Sequence, residues 1–304
     1  MSGPVEIEVE GRTVAVTHPD RVVFPAAGVT KGEVVEYYHR IAGSLLPHVA
    51  GRPLVVQRFP GGIGGPGFYQ KNTPRHAPEW LRTVEVPTAE GGTTRYPVLD
   101  GAAGLVWLAN QGSVVLHTLL ADASEPERPV EVIVDLDPSD EDLGVVRDGA
   151  RHLRELLEGV GATPRVKSSG SRGLHVVVDV AGPADFDLSR HFALAVAERV
   201  VAREPDRFTV EFHKADRRGR LFLDVLRNGR AAHAVAPYSL RARPEAPVAV
   251  PLGWDEALSS DFGPRRITVA NIFRRLGQRD DPWAGPRPPG LDLPAALQRL
   301  ATVA

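Results

Sequence analysis

The sequence predicts an α/β fold in which strands and helices interleave along one chain. Three observations predict it. Helical periodicity recurs in separate blocks, short β-rich stretches fall between those blocks, and neither an internal repeat nor a long linker interrupts them. With 304 residues, 42% apolar and 24% charged, the chain can bury a sizeable core, and it reads as one domain over 1–304.

The elements follow in order. Val5–Val9, the turn Glu10-Gly11-Arg12 and Thr13–Val16 read as strand, turn and strand. Thr30-Lys31-Gly32-Glu33 is a capping box, opening a helix with Val34, Val35, Tyr38, Ile41, Ala42 and Leu45 on its apolar side. Pro60–Gly67 is Gly-rich and predicts an irregular loop. Ser139 is expected to cap a second helix, with Leu143, Val146, Ala150, Leu153, Leu157 and Val160 on one face and Gly161 as its stop. A third helix is expected over Leu188–Arg203. The strand-like stretches are Val130–Leu136, Leu174–Val180, Phe208–Phe212 and Leu221–Leu226. A helix near Val269–Leu276, a Pro-rich segment Pro282–Pro294 and a short helix around Ala295–Val303 complete the chain.

Composition narrows the chemistry. Cysteine is absent, so disulfides and thiolate zinc sites are excluded, and any metal must rest on carboxylates, histidines and water. Met1-Ser2-Gly3-Pro4 lacks the basic and apolar regions of a secretory signal, and no apolar run approaches the roughly 20 residues that span a bilayer. The expectation is a cytoplasmic protein with no membrane partner, and a monomer. The net charge of −2 does not advertise nucleic-acid binding, although a local basic groove counts for more than the total. Arginine outnumbers lysine 32 to 4, as a GC-rich genome favours, and Lys31, Lys71, Lys167 and Lys214 all fall in or beside segments singled out below.

Val132-Ile133-Val134-Asp135-Leu136-Asp137-Pro138 carries the strongest local signal. Alternate residues of a strand share a face, so Val130, Val132, Val134 and Leu136 would face the core while Asp135 and Asp137 emerge together on the other side. Pro138 then ends the pairing. Two carboxylates this close repel unless a cation sits between them. In Arg220-Leu221-Phe222-Leu223-Asp224-Val225-Leu226, Asp224 is the one charge inside an apolar run. Three acids on neighbouring strands are what a two-metal phosphoryl-transfer site needs. Taken alone, Asp135 and Asp137 fit a strand-end turn better than a metal site, and Asp224 a solvent-facing strand position.

Lys167-Ser168-Ser169-Gly170-Ser171-Arg172-Gly173-Leu174-His175 lies between two strand-like stretches. Its Gly and Ser residues let backbone N–H groups converge on an anion, with Arg172 and His175 adding charge and donors. A plain Gly/Ser turn is the alternative. It is not a Walker A loop, because the lysine pattern and the following helix are missing, which excludes a helicase-like ATPase. His117 ends the apolar stretch Gln111–His117, where a lone histidine is more often a satisfied structural residue than a ligand. Glu211-Phe212-His213-Lys214-Ala215-Asp216-Arg217 faintly resembles the lysine motif of ATP-dependent ligases, but Arg217 replaces the expected glycine.

In sequence these motifs run His117, Asp135-Leu136-Asp137-Pro138, Ser169–His175, Leu223-Asp224 and Ala236-Pro237-Tyr238-Ser239-Leu240-Arg241-Ala242-Arg243. The N-terminal part adds Thr17-His18-Pro19-Asp20-Arg21, Val29-Thr30-Lys31-Gly32, Gly51-Arg52-Pro53 and Phe68-Tyr69-Gln70-Lys71. Together, over about residues 5–290, they resemble the polymerase domain of bacterial ligase D, of the archaeo-eukaryotic primase superfamily. The resemblance implies a primase-like fold of α/β (α+β) class, with a mixed or antiparallel central sheet flanked by helices. It implies a DNA- and 5′-phosphate-binding part over about 1–95, a catalytic part over 96–290 and a C-terminal helix over 291–304.

The resemblance also implies roles. Asp135, Asp137 and Asp224 match metal-binding catalytic carboxylates for Mn²⁺ or Mg²⁺. His117, Ser169, Arg172, His175, Arg241 and Arg243 match residues that hold the incoming ribo- or deoxynucleoside triphosphate, with Arg227 beside them. His18, Arg21 and Lys31 match a pocket for the 5′-phosphate across a gap, and Phe68, with Lys71 near it, an aromatic that stacks on the template. Two cations and an imidazole suit a phosphate dianion, and such contacts make binding salt-sensitive.

The implied function is template-dependent primer extension at DNA ends and gaps in non-homologous end joining, with a preference for ribonucleotides. The implied partners are a Ku-type end-binding protein and an ATP-dependent ligase, in the bacterial cytoplasm at the nucleoid. Ligase D is often fused to a phosphoesterase and a ligase, and this chain reaches Ala304 with neither, which suggests a stand-alone polymerase or an excised domain. Gap filling in excision repair is the alternative context. A non-catalytic end-binding module would have lost the carboxylates, and a metal phosphoesterase would need more histidine ligands.

Overall fold

The computed structural model describes residues 3–88 and 91–302. The chain divides into two compact units, neither contiguous in sequence. The first takes the chain up to Leu119 with His233–Ala249 and Ile267–Gly277. The second takes Leu120–Ala232, Val250–Arg266 and the chain from Gln278 onward. Ser113–Leu119 pairs with Leu54–Arg58 and so belongs with the N-terminal strands.

The second unit is built on a seven-stranded mixed sheet. Its order is Phe208–Thr209, Leu221–Asp224, Glu131–Asp137, Leu174–Ala181, Arg165–Ser168 and Pro251–Leu252, with Leu291–Asp292 joining Leu174–Ala181. Most pairings are antiparallel; the Phe208–Thr209 and Leu291–Asp292 pairings are parallel. The helices Leu143–Gly159 and Phe186–Arg203 pack together and against this sheet. Gly149 permits the close approach, since a Cβ there would lie 2.7 Å from Leu221 Cδ2 and 3.1 Å from Leu136 Cδ2. Leu136 therefore faces the helices, and its neighbours Asp135 and Asp137 face away from them.

Several elements differ from expectation for local reasons. The second helix starts at Leu143, capped by the Asp142 carboxylate accepting from Gly144 N (2.7 Å); Ser139 instead donates to the Arg220 carbonyl. The third begins at Phe186 on an Asp185 cap. The strand expected over Phe208–Phe212 stops at Thr209, and the one over Leu221–Leu226 stops at Asp224, where a 3₁₀ turn Leu226–Asn228 begins. The last helix is Leu293–Leu300, capped by Asp292; Val303 lies outside the described residues.

The first unit holds a four-stranded antiparallel sheet in the order His233–Val235, Ser113–Leu119, Leu54–Arg58, Phe68–Gln70. The helix Lys31–Val49 opens on the full capping box, with Thr30 N donating to Glu33 Oε2 (2.7 Å) and Glu33 N to Thr30 Oγ1 (3.3 Å). It packs on Ala102–Asn110, which is apolar on all sides and whose first amides donate to the Glu10 carboxylate. Tyr37 and Tyr38, both buried, donate to the carbonyls of Tyr238 and Val114. The hairpins Val5–Val9/Arg12–Val16 and Thr83–Pro87/Thr93–Pro97 are separate two-stranded ribbons, and Val86 and Tyr96 of the latter pack on Val55 and Leu119. The helix expected from Val269 begins at Ile272, because Val269 N–H is drawn to the Ala246 carbonyl.

Two glycines give opposite predictions. A Cβ on Gly173 would lie 1.7 Å from the Leu136 carbonyl oxygen, a backbone atom fixed in the sheet, whereas a Cβ on Gly43, in an exposed helical position, meets nothing within 4 Å. In urea unfolding, Gly173→Ala is expected to cost about 3 kcal/mol or more through strand displacement. Gly43→Ala is expected to gain about 0.5–1 kcal/mol from helix propensity and a stiffer unfolded chain. Equal effects for the two would refute the close-approach argument.

Candidate active site and phosphate pocket

Register builds the carboxylate site. Asp135 lies opposite His175 on one side and Asp224 on the other, and His175 lies opposite Lys167. One row thus crosses four strands in the order Lys167, His175, Asp135, Asp224, with all four side chains on the face away from the helices. Asp137, two residues along its strand, joins that face.

The side chains within this row are tightly coupled. His175 Nε2 lies 3.5 Å from Asp135 Oδ1. Arg227 Nε lies 3.8 Å from Asp135 Oδ2 and 3.5 Å from Asp224 Oδ2, so one guanidinium spans the two carboxylates. Asp224 Oδ1 also accepts from Leu226 N (2.8 Å). Burial pushes the Asp135 carboxyl up to about 6; Arg227 pulls it down, Asp224 and Asp137 add to the rise, and Lys167 opposes them. Asp137 is turned to two other arginines, Arg172 Nη2 at 2.7 Å and Arg217 Nη1 at 3.1 Å. Arg217 is buried and stacks 4.0 Å over Phe222.

Because Asp137 is drawn aside, no three histidine or carboxylate side chains among the described residues converge as a ready-made metal cage. The donor set still fits a hard divalent cation. Its carboxylates supply hard oxygen donors, those of Asp135 and Asp224 side by side and beside the positive charge of Arg227.

The loop before His175 is stitched onto itself. Ser169 Oγ accepts from Ser171 N and Gly173 N, both at 3.2 Å, while Ser169 N donates to the Gly173 carbonyl. Those two amides therefore converge on the loop's own hydroxyl. Of the residues singled out from sequence, the second unit brings together Asp135, Asp137, Asp224, Arg172, His175 and Arg227, with Ser169 in the adjoining loop.

Lys167 and Arg217 join the site without having been singled out for it. Lys167 carried a weak signal as a rare lysine at the head of the Gly/Ser segment. Arg217 was visible only as the departure from a ligase motif, in which Lys214 is exposed.

In the first unit, His18, Arg21 and Lys31 line one cavity of about 400 Å³. Its turn is fixed by Arg21 N donating to the His18 carbonyl (3.1 Å), Lys31 N to Arg21 O (2.7 Å) and Gly32 N to Pro19 O (2.8 Å). His18 sits at φ 52°, in the left-handed region that histidine seldom occupies. Lys31 Nζ donates to Thr17 O (2.6 Å) and Oγ1 (3.0 Å), and Arg21 Nη1 to Pro60 O (2.6 Å). Burial pushes the Lys31 ammonium down to about 8, with Arg21 and Arg58 adding to it.

Arg58, which sequence reading missed, lines the same cavity and lies 5.6 Å from the Phe68 ring. Phe68 is 48% exposed, as a stacking aromatic would be. Lys71 is exposed and does not line the cavity.

His117 is buried in the same unit, its ring 4.9 Å from His233 and 5.5 Å from Tyr69. Ser239 Oγ accepts from Leu116 N (2.8 Å), tying the strand of His117 to the segment that carries Arg241 and Arg243. Arg241 N and Arg243 N donate to Pro247 O and Arg241 O, so this segment is a tight backbone turn.

A family model described as LigD, primase-polymerase domain, matches residues 30–283. The chain is 34% identical over 274 residues to the multifunctional non-homologous end joining protein LigD of Mycolicibacterium smegmatis, covering 88% of this chain and 35% of that protein. It is 33% identical over 275 residues to the corresponding Pseudomonas aeruginosa protein, covering 89% and 32%. The chain thus spans about a third of the length of these relatives. Among solved structures, the polymerase domain of Mycobacterium tuberculosis ligase D in complex with DNA matches with a TM-score of 0.82 and 32% identity, over 89% of this chain and 96% of that one. The chain belongs to the LigD primase-polymerase domain family, a family of nucleotidyltransferases.

Proposed function

We propose that this chain extends a DNA primer strand across short gaps and at broken ends, transferring nucleotides from ribo- or deoxynucleoside triphosphates with a preference for the former. The observation that carries the proposal is the pairing of Asp135 with Asp224 under one guanidinium, with Asp137 on the same face. Asp135, Asp137 and Asp224 would hold Mn²⁺ or Mg²⁺, which when bound lowers the pKa of the attacking 3′-hydroxyl and neutralises charge on the triphosphate. His175 orients Asp135, and Arg172 and Arg217 hold Asp137 until it is needed. Arg227, whose guanidinium lies beside Asp135 and Asp224, would contact a phosphate oxygen of the nucleotide. Ser169, His117, Arg241 and Arg243 are proposed as further nucleotide contacts on the strength of the family motifs.

The first-unit cavity is proposed as the seat of the 5′-phosphate beyond the gap, with Arg21, Lys31 and Arg58 as its cations and His18 as a further donor. Phe68 stacks on the adjacent template base, and Lys71, exposed and outside the cavity lining, serves the strand rather than the phosphate. Because the LigD relatives are end-joining proteins, double-strand break repair with a Ku-type protein and an ATP-dependent ligase, in the bacterial cytoplasm, is the proposed context. No helix of the described residues is long and apolar enough to cross a membrane.

Primer extension on a gapped duplex with a 5′-phosphate tests the carboxylates. Wild type is expected to extend with Mn²⁺ or Mg²⁺, and Asp135→Ala/Asp137→Ala to lose at least about 10²–10³-fold, the scale of losing preorganised charge stabilisation. A double mutant that extends normally would sink the site assignment.

The Lys31 pocket yields a pH prediction. Lys31 is cationic below about 8 in the free protein, and a phosphate dianion favours the cation. Binding above that pH must therefore take up a proton, and the preference for 5′-phosphorylated over 5′-hydroxyl gaps should weaken between pH 8 and 10. Lys31→Arg, charged throughout, should flatten the dependence. Stability moves the other way, since the unfolded lysine keeps its proton to about 10.4 and the native one does not. Fluorescence anisotropy with the two DNAs checks this, and parallel affinities across the range would refute the assignment of Lys31 to the phosphate.

A further inference from the structure

The sheet pairing between Glu131–Asp137 and Leu221–Asp224 ends at the pair that matters most, Asp135 with Asp224. Continued in the same register, the next hydrogen-bonded position would place Leu226 opposite Ile133. The chain instead leaves the sheet in the 3₁₀ turn Leu226–Asn228, which would strand both backbone groups of Ile133 in a buried position. The Asn228 side chain takes over. Its Oδ1 accepts from Ile133 N (2.8 Å), and its Nδ2 donates to Ile133 O (2.7 Å) and to Val225 O (2.8 Å). A primary amide carries the same donor and acceptor as a peptide unit, so Asn228 completes the ladder where the backbone cannot.

Asn228 is fully buried, with no exposed surface. Its contacts fall two residues before Asp135 and one after Asp224, and the turn it anchors also carries Arg227 and the Leu226 N–H that holds Asp224. Without the clamp, two repelling carboxylates would sit at the frayed end of a strand pair, free to separate.

We propose that Asn228 is a positioning residue for the metal-binding carboxylates, setting the separation of Asp135 and Asp224 by substituting for the missing strand. It does not itself touch substrate or cation. The proposal rests on the metal-dependent reading above and deepens it: the affinity of the site for a divalent cation is set in part by an uncharged side chain on the far side of the turn.

The test titrates Mn²⁺ alone into the full chain, reading free Mn²⁺ by electron paramagnetic resonance, with melting curves for every variant. Asn228→Ala, measured well below its melting midpoint, is expected to bind Mn²⁺ roughly 10–100-fold more weakly, the range for loss of a group that orients a metal ligand. Asn228→Ser, which keeps a donor and acceptor on a shorter arm, should fall between. Leu300→Ala, a buried position in the C-terminal helix Leu293–Leu300, should melt lower yet keep wild-type affinity, separating positioning from general loss of stability. In primer extension the loss should fall on kcat, with KM for DNA unchanged.

Equal Mn²⁺ affinity in wild type and Asn228→Ala overturns the proposal. If Asn228→Ala does not fold, Asn228→Ser decides, and wild-type affinity in that variant overturns it as well. A wild type that binds no Mn²⁺ sinks the metal reading, and this inference with it, which is a different outcome from the first.

Discussion

The structure of the second unit turns on one constraint: Asp135 and Asp224 are held directly opposite each other on adjacent antiparallel strands. Like charges at such a position destabilise a sheet. The neighbouring residues can be understood as answers to that cost. Arg227 spans the pair, His175 and Lys167 extend the row away from it, and Arg172 and Arg217 draw the third carboxylate aside. On the opposite face, Leu136, Leu221 and Phe208 pack beneath Gly149 of the covering helix, so apolar burial anchors the strands whose other face is electrostatically strained. A site built this way keeps its shape while its charges are unbalanced, as binding polyvalent ions requires.

Much of this was legible because a strand has a period of two. The alternation from Val132 to Asp137 fixes which residues share a face before any partner strand is known, and the apolar run around Asp224 marks it as the odd charge. Which strands meet is not local information. Nothing in the spacing of Lys167, His175, Asp135 and Asp224 along the chain says that they form one row, because register is set by long-range packing. Arg217 and Asn228 were illegible for the same reason: the contact that ties each to the site is with a group distant in sequence, Asp137 for one and Ile133 for the other.

The helices show a similar division. The Thr30–Glu33 capping box is a purely local device and formed as read. The second helix start was misplaced by three residues because Ser139 and Asp142 are both acceptable caps by sequence. The Arg220 carbonyl, far along the chain, takes the Ser139 hydroxyl and leaves the cap to Asp142. Ala102–Asn110 escaped notice because a helix buried on every side has no polar stripe to betray its period.

The first unit shows how local charge can differ from the net charge of the chain. A balance of −2 averages over a surface, whereas the cavity around Arg21, Lys31 and Arg58 has no acidic residue among the described residues that line it. Lys31 is also the first residue of the long helix, whose N-terminal backbone carries partial positive charge, so side-chain and main-chain fields add in one place. Burial first, and then Arg21 and Arg58, push its ammonium down to about 8. The neighbouring guanidiniums of Arg21 and Arg58 disfavour a further cation there and favour an anion. On the proposed reading, the same gathering of cations is what would suit the cavity to a phosphate dianion.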